Sequence, residues 1–114
     1  MKMLSQYTKE AVKTIRSYDK TKVKKWTYET ATLDLPVQVG SLIKAVMQYK
    51  NLRFSYGKNK TELKEIISDE LADIFTEVLY IAHELDIDID QSFNKMLKSD
   101  KEEEIIKFVF FSFF

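Results

Sequence analysis

Two acidic side chains at helical spacing are the residues of this chain best suited to hold a metal ion. Glu70 and Asp73 lie three positions apart in a stretch whose apolar residues recur every three or four positions, and residues three apart share one face of an α-helix. A hard divalent cation such as Mg²⁺ takes oxygen ligands and can be held by one or two carboxylates together with substrate phosphates. The pair therefore predicts a weak magnesium site that fills together with a nucleotide.

A polar stripe of matching construction is predicted on the preceding helix. With about 100° of rotation per residue, each stripe borders the apolar arc of its own helix. The first stripe comprises Asp34, Gln38, Ser41, Ala45 and Gln48, and the second comprises Glu70, Asp73, Glu77 and Glu84. If the apolar arcs pack together, the stripes face each other across a cleft, with acids on one wall. Asp34 is a candidate third ligand, with helix capping as the alternative.

Four helices are predicted to position these residues, which makes the fold class all-α. The first covers residues 3–19, and the second runs from about residue 31 to residue 49, with Pro36 either in its first turn or at a kink. Thr61 is the predicted N-cap of the third helix, and Asp88 opens the fourth as half of a capping box with Gln91. The third helix has a continuous apolar stripe formed by Leu63, Ile67, Leu71, Ile74, Val78, Ala82 and Leu85.

The chain ends in a segment that is unusually rich in phenylalanine. Five of the eight phenylalanines lie in the last seven positions, within the apolar tail 105–114. We therefore predict one helical domain over residues 1–104, followed by this tail. An exposed segment of this kind favours aggregation, so we expect it to be buried in a groove or against another chain. A frameshifted terminus is the alternative.

Composition limits the class of protein. The chain has 114 residues, two glycines, one proline and 45% hydrophobic residues, which suits one domain with one core. It has no cysteine, so disulfides and thiolate zinc sites are excluded. No apolar run approaches the ~20 residues of a membrane-spanning helix. We expect a soluble, cytoplasmic protein with no membrane partner.

The single histidine and the basic residues suggest little further chemistry. His83 falls nearly opposite the apolar stripe, which indicates a surface position rather than a ligand or base. Eight basic residues among positions 1–25 make nucleic-acid binding conceivable, but no recognition motif accompanies them, so nucleic acid is an unlikely partner. The basic loop residues Arg53, Lys58 and Lys60 are candidate triphosphate contacts, with an ordinary exposed loop as the alternative. Trp26 could stack a base, although packing explains it more simply.

The stretch from Trp26 to Met96 resembles the MazG family of all-α nucleoside triphosphate pyrophosphohydrolases, which are relatives of dimeric dUTPases and phosphoribosyl-ATP pyrophosphohydrolases. Three segments carry the resemblance in the order and spacing of the family. They are residues 39–45 (VGSLIKA), residues 69–73 (DELAD), and residues 81–82 ahead of residues 87–88.

This resemblance implies a four-helix bundle completed by a homodimer or homotetramer. It also implies a magnesium site made from an ExxE pair and an ExxD pair, at which a nucleoside triphosphate is cleaved to a monophosphate and pyrophosphate. Glu70 and Asp73 match the ExxD pair, whereas Gln38 and Ser41 occupy the ExxE positions without carboxylates. Gln38 and Ser41 can still contact substrate through a carbonyl oxygen and a hydroxyl. We expect weak hydrolysis, or alternatively a non-catalytic nucleotide-binding or protein-interaction module.

Overall fold

Four α-helices form the described part of the chain. The computed structural model describes residues 3–18 and 25–113. The helices are α1 (Leu4–Tyr18), α2 (Tyr28–Tyr49), α3 (Lys60–Glu84) and α4 (Ile89–Phe113). No strand occurs within the described ranges, so the all-α prediction is confirmed. The basic residues Lys20, Lys22 and Lys24 lie outside these ranges.

Helix α2 begins three residues earlier than the sequence predicted. Thr27 is its N-cap, and the Thr27 side chain accepts a hydrogen bond from the backbone N–H of Thr30 at 3.3 Å. This bond satisfies one of the N–H groups that the first turn leaves without an intrahelical partner. As a result, Pro36 lies inside α2 rather than in its first turn.

Side-chain caps also define where α3 and α4 begin. Asn59, and not Thr61, caps α3, because Asn59 Oδ1 accepts from the backbone N–H of Glu62 at 2.8 Å. Asp88 precedes α4 and accepts from the backbone N–H of Gln91 at 3.1 Å. The predicted start of α4 is therefore confirmed, while the predicted cap of α3 is wrong by two residues.

Helices α2 and α3 form an antiparallel pair, and α1 packs on α3. At the loop end of the pair, Lys60 Nζ donates to the carbonyl of Tyr49 at 3.1 Å. Near the other end, Tyr80 donates its hydroxyl to the carbonyl of Trp26 at 3.0 Å. Burial of apolar surface is the main source of stability here. One buried cluster joins all three helices through Val12, Ile15, Ala31 and Tyr80, with Trp26 and Ile81 packed against it.

The face of α3 that turns inward coincides only in part with the predicted apolar stripe. Leu63 and Ala82 of that stripe are buried, but Leu71 is 53% exposed and Leu85 45% exposed, whereas Glu77 is only 8% exposed. Helix α3 packs against both α1 and α2, so its buried arc is centred between those two neighbours rather than on the apolar stripe. On α2, the buried residues include the small Ala45 and the polar Gln48. Within the acidic stripe of α3, Glu77 is therefore buried between the helices, whereas Asp73 stays exposed.

Helix α4 continues into the phenylalanine-rich tail, and the side chains of residues 105–110 are exposed. Ile106 is 66% exposed and Phe108 74% exposed, so the predicted burial in a groove is wrong for these residues within one chain, while burial against another chain stays a prediction. Contacts between α4 and α1 are sparse, with a hydrogen bond from Ser5 N–H to Asp90 Oδ2 at 3.1 Å. The radius of gyration is 18.6 Å, against about 13 Å for a compact chain of about 100 residues. None of the described helices is long and apolar enough to cross a membrane.

Candidate functional site

A cleft between α1, α2 and α3 brings part of the two polar stripes together, although Glu70 and Ser41 are not among the residues that line it. Its volume is about 280 Å³. Helix α2 contributes Gln38 and α3 contributes Asp73 and Glu77. Helix α1 forms the remaining wall with Thr14, Ile15 and Tyr18. The acids of α3 and the neutral polar group of α2 thus line one shared space.

Hydrogen bonding links the α2 side of this cleft to the acids. Gln38 Nε2 donates to Asp34 Oδ2 at 3.1 Å, and Asp34 in turn lies against Glu77. The amide nitrogen of Gln38 is therefore engaged within α2. Its carbonyl oxygen is the atom through which Gln38 can contact a cation.

Glu77 is the most deeply buried acid of the site. The pKa of Glu77 is raised from 4.5 to about 8, first by burial and then by a hydrogen bond with Asp34 and the negative charges of Asp34 and Asp73. Its Oε2 atom is buried without a hydrogen-bond partner. The sequence placed Glu77 on the acidic stripe but did not single it out, because the inward direction of α3 was not known. Its proximity to Asp34 depends on the α2–α3 register, which the sequence alone does not give.

Glu70 also holds a buried carboxylate oxygen. Its side chain is partly buried, and its Oε2 atom has no hydrogen-bond partner. Asp34 of α2 lies against Glu77 of α3, and the two helices are antiparallel. Ser41, seven residues after Asp34, is therefore level with Glu70, seven residues before Glu77. Ser41 is exposed. A buried carboxylate oxygen without a partner is costly, so this atom favours a cation or a donor beside it.

The acids provide only part of a magnesium site. Within the described ranges, no three His, Asp or Glu side chains converge closely enough to hold a metal ion. Glu70 and Asp73 suit a magnesium site of the kind in which one or two carboxylates bind the ion and waters and substrate phosphates complete its coordination. They do not form a cage that would hold the ion by itself.

The basic loop lies away from the acids within one chain. Lys60 Nζ is engaged by the carbonyl of Tyr49 and lies 4.7 Å from the centre of the Tyr49 ring. Lys60 precedes Glu70 by ten residues and Asp73 by thirteen, which corresponds to roughly 15–20 Å along a helix. The structure therefore does not bring Arg53, Lys58 and Lys60 to the cleft of their own chain.

The last acid of the stripe and the histidine lie outside the cleft. Arg16 Nη2 lies 3.6 Å from Glu84 Oε1, and His83 Nδ1 lies 3.9 Å from Glu84 Oε2. His83 is exposed, as predicted. Glu84 thus has a cationic neighbour, in contrast to Glu70 and Glu77, whose buried oxygens have no partner.

No family model, curated protein or solved structure matches the chain. The resemblance to the MazG family is therefore carried by the sequence motifs alone, and membership of that family stays a prediction.

Proposed function

We propose that the protein is a magnesium-dependent nucleoside triphosphate pyrophosphohydrolase of the MazG type, with activity weakened by the loss of the ExxE carboxylates. The observation that carries this proposal is the buried Oε2 of Glu70, which has no hydrogen-bond partner and belongs to the ExxD pair. Support also comes from Gln38 and Asp73, which line one cleft across the antiparallel pair.

The proposed roles follow from the donor atoms of each side chain. Glu70 and Asp73 would hold Mg²⁺, which supplies water activation and charge neutralisation on the phosphates when bound. The Gln38 carbonyl oxygen and the Ser41 hydroxyl take the positions of two carboxylates, so the site carries about two fewer negative charges. Weaker cation binding follows, and the nucleotide must complete the coordination.

Glu70→Gln is expected to lower the rate of pyrophosphate release by roughly 100-fold or more, because it removes one of the two carboxylates at the reacting phosphates. The measurement is pyrophosphate release from a panel of nucleoside triphosphates in the presence of Mg²⁺. Asp69→Asn is the matched control, since Asp69 is the adjacent, exposed acid on α3, and it should retain the wild-type rate. Equal rates for the two variants would contradict the assigned role of Glu70.

A non-catalytic nucleotide-binding or protein-interaction module is the second candidate. It is favoured by the absence, within the described ranges, of three converging ligand side chains and by the neutral Gln38 and Ser41. The candidates differ in calorimetry with Mg²⁺ and a non-hydrolysable nucleoside triphosphate. Heat of binding without any pyrophosphate release from the panel supports the nucleotide-binding module. Absence of both signals in a folded protein rejects the enzyme.

We further propose that the active form is a homodimer or homotetramer. Apolar side chains stay exposed on both central helices, with Ile43 53% and Leu71 53% exposed, and a second copy of the chain would remove them from water. A second copy is also the route by which Arg53 and Lys58 reach a triphosphate, since their own loop is distant from the acids.

The oligomer proposal predicts that Phe75→Lys shifts the sedimentation coefficient from that of an oligomer to that of a monomer, because a charge then replaces an apolar contact. Met3→Lys is the control, since Met3 is an exposed apolar residue that precedes α1 and its replacement should leave the oligomer intact. A wild-type chain that sediments as a monomer, with or without nucleotide, contradicts the proposal.

A further inference from the structure

The two threonine hydroxyl groups that line the cleft present acceptors rather than donors. Thr14 Oγ1 donates to the carbonyl of Glu10 at 2.9 Å, and Thr76 Oγ1 donates to the carbonyl of Ala72 at 2.9 Å. Each threonine therefore engages its single hydroxyl proton within its own helix. What remains for a ligand in the cleft is the lone pairs of both oxygens.

The acids add stronger acceptors at the same place. Asp73 and Glu77 both line the cleft, and ionised carboxylates only accept hydrogen bonds. Glu77 is 8% exposed, and its Oε2 is buried without a hydrogen-bond partner. No lysine or arginine is found among the described residues that line the cleft. A buried carboxylate without a counter-charge is unfavourable, so the cleft favours a ligand that brings positive charge and N–H donors.

Aromatic side chains at the cleft suit an organic cation. Tyr18 and Trp26 line it together with the acids, and aromatic rings attract ammonium and guanidinium groups. A volume of about 280 Å³ is close to the lower limit of about 300 Å³ for small-molecule pockets. Three converging metal-ligand side chains are absent from the described ranges, whereas a planar cation needs only two acceptors at its edge.

We propose that this cleft binds a small organic cation with a planar, N–H-rich head, such as a guanidinium or amidinium group. Glu77 and Asp73 accept the N–H groups of the head, and the Tyr18 and Trp26 rings border its apolar part. This binding does not depend on nucleotide hydrolysis, so it is tested without nucleotide and its failure leaves the hydrolase proposal untouched.

The chain contains a single tryptophan, so fluorescence of Trp26 reports directly on the cleft. Butylguanidinium is titrated into the full chain, without Mg²⁺ and at a pH above the pKa of Glu77. We expect a saturable change in Trp26 emission. Glu77→Gln should weaken it by about tenfold or more, because one charge-assisted hydrogen bond is lost. Glu65→Gln replaces an exposed acid of the same helix and should leave the affinity unchanged.

Several outcomes overturn the proposal. One is a wild-type titration with no saturable change, and another is equal affinity in Glu77→Gln, with circular dichroism showing that both proteins stay folded. If 1-butanol produces the same change, the cleft takes up apolar molecules and not cations. If Mg²⁺ alone or cytidine alone produces the Glu77-dependent change and butylguanidinium does not, the cleft is a metal site or a base pocket, respectively.

Discussion

Leu79→Ala is expected to lower the free energy of unfolding by about 2–5 kcal/mol. Leu79 is 1% exposed and is one of the two largest fully buried side chains of the described ranges. Truncation loses the transfer free energy of three carbon atoms and leaves a cavity that a helix packed on two neighbours cannot close completely. Since domains of this size have only about 5–15 kcal/mol of stability in total, the variant should unfold at a much lower denaturant concentration.

The matched control for this substitution is Leu33→Ala. Leu33 also lies in a helix, but its side chain is 78% exposed, so the same truncation should change stability by less than about 0.5 kcal/mol. Chemical denaturation followed by circular dichroism measures both variants. Similar losses for Leu79→Ala and Leu33→Ala would contradict the burial of Leu79 between the helices.

Local signals in the sequence predicted the elements well where a side chain caps a helix. Asp88 and Gln91 predicted the start of α4. The apolar repeat predicted a first helix over residues 3–19, and the structure has α1 over Leu4–Tyr18. Where several residues can cap, the sequence does not choose between them. Asn59 and Thr61 are both good N-caps, and only the hydrogen bond from Glu62 N–H shows that Asn59 is the one used.

The orientation of the helices about their own axes was not predictable from one sequence. A helical wheel gives the relative positions of Leu71 and Glu77 but not which neighbour each one meets. That choice depends on α1 and α2 packing on α3 at the same time. As a result, Leu71 is exposed, while Glu77, expected at the edge of the core stripe, is buried.

The site was predicted in its residue types more fully than in its geometry. The matching stripes led to the expectation of a cleft, and Gln38 and Asp73 do line one. The sequence could not show that Gln38 donates to Asp34, because this bond depends on side-chain rotamers. Nor could it show the distance of Arg53 and Lys58 from the acids, since that depends on the α2–α3 register.

Glu77→Gln is expected to remove most of the pH dependence of stability between about pH 4.5 and 8. In the folded chain the pKa of Glu77 is raised from 4.5 to about 8 by burial and by Asp34 and Asp73. In this window the unfolded chain releases the proton and the folded chain keeps it. The free energy of unfolding of the wild type therefore falls as the pH rises, and the stabilising contribution of Glu77 is lost above about pH 8. Each unit of pKa difference corresponds to about 1.4 kcal/mol, so the total loss is on the order of a few kcal/mol.

The glutamine variant separates this charge effect from packing. Its amide is neutral at every pH and can donate a hydrogen bond to Asp34 as the protonated Glu77 does, so its stability should match the wild type near pH 4.5 and exceed it above pH 8. Denaturation curves across this range, recorded with a chelator so that no divalent cation neutralises the acids, measure the difference. Glu65→Gln, at an exposed position of α3, should keep the wild-type slope. If Glu77→Gln keeps that slope as well, the proton taken up on folding is held by another group, and Glu77 is ionised in its buried position.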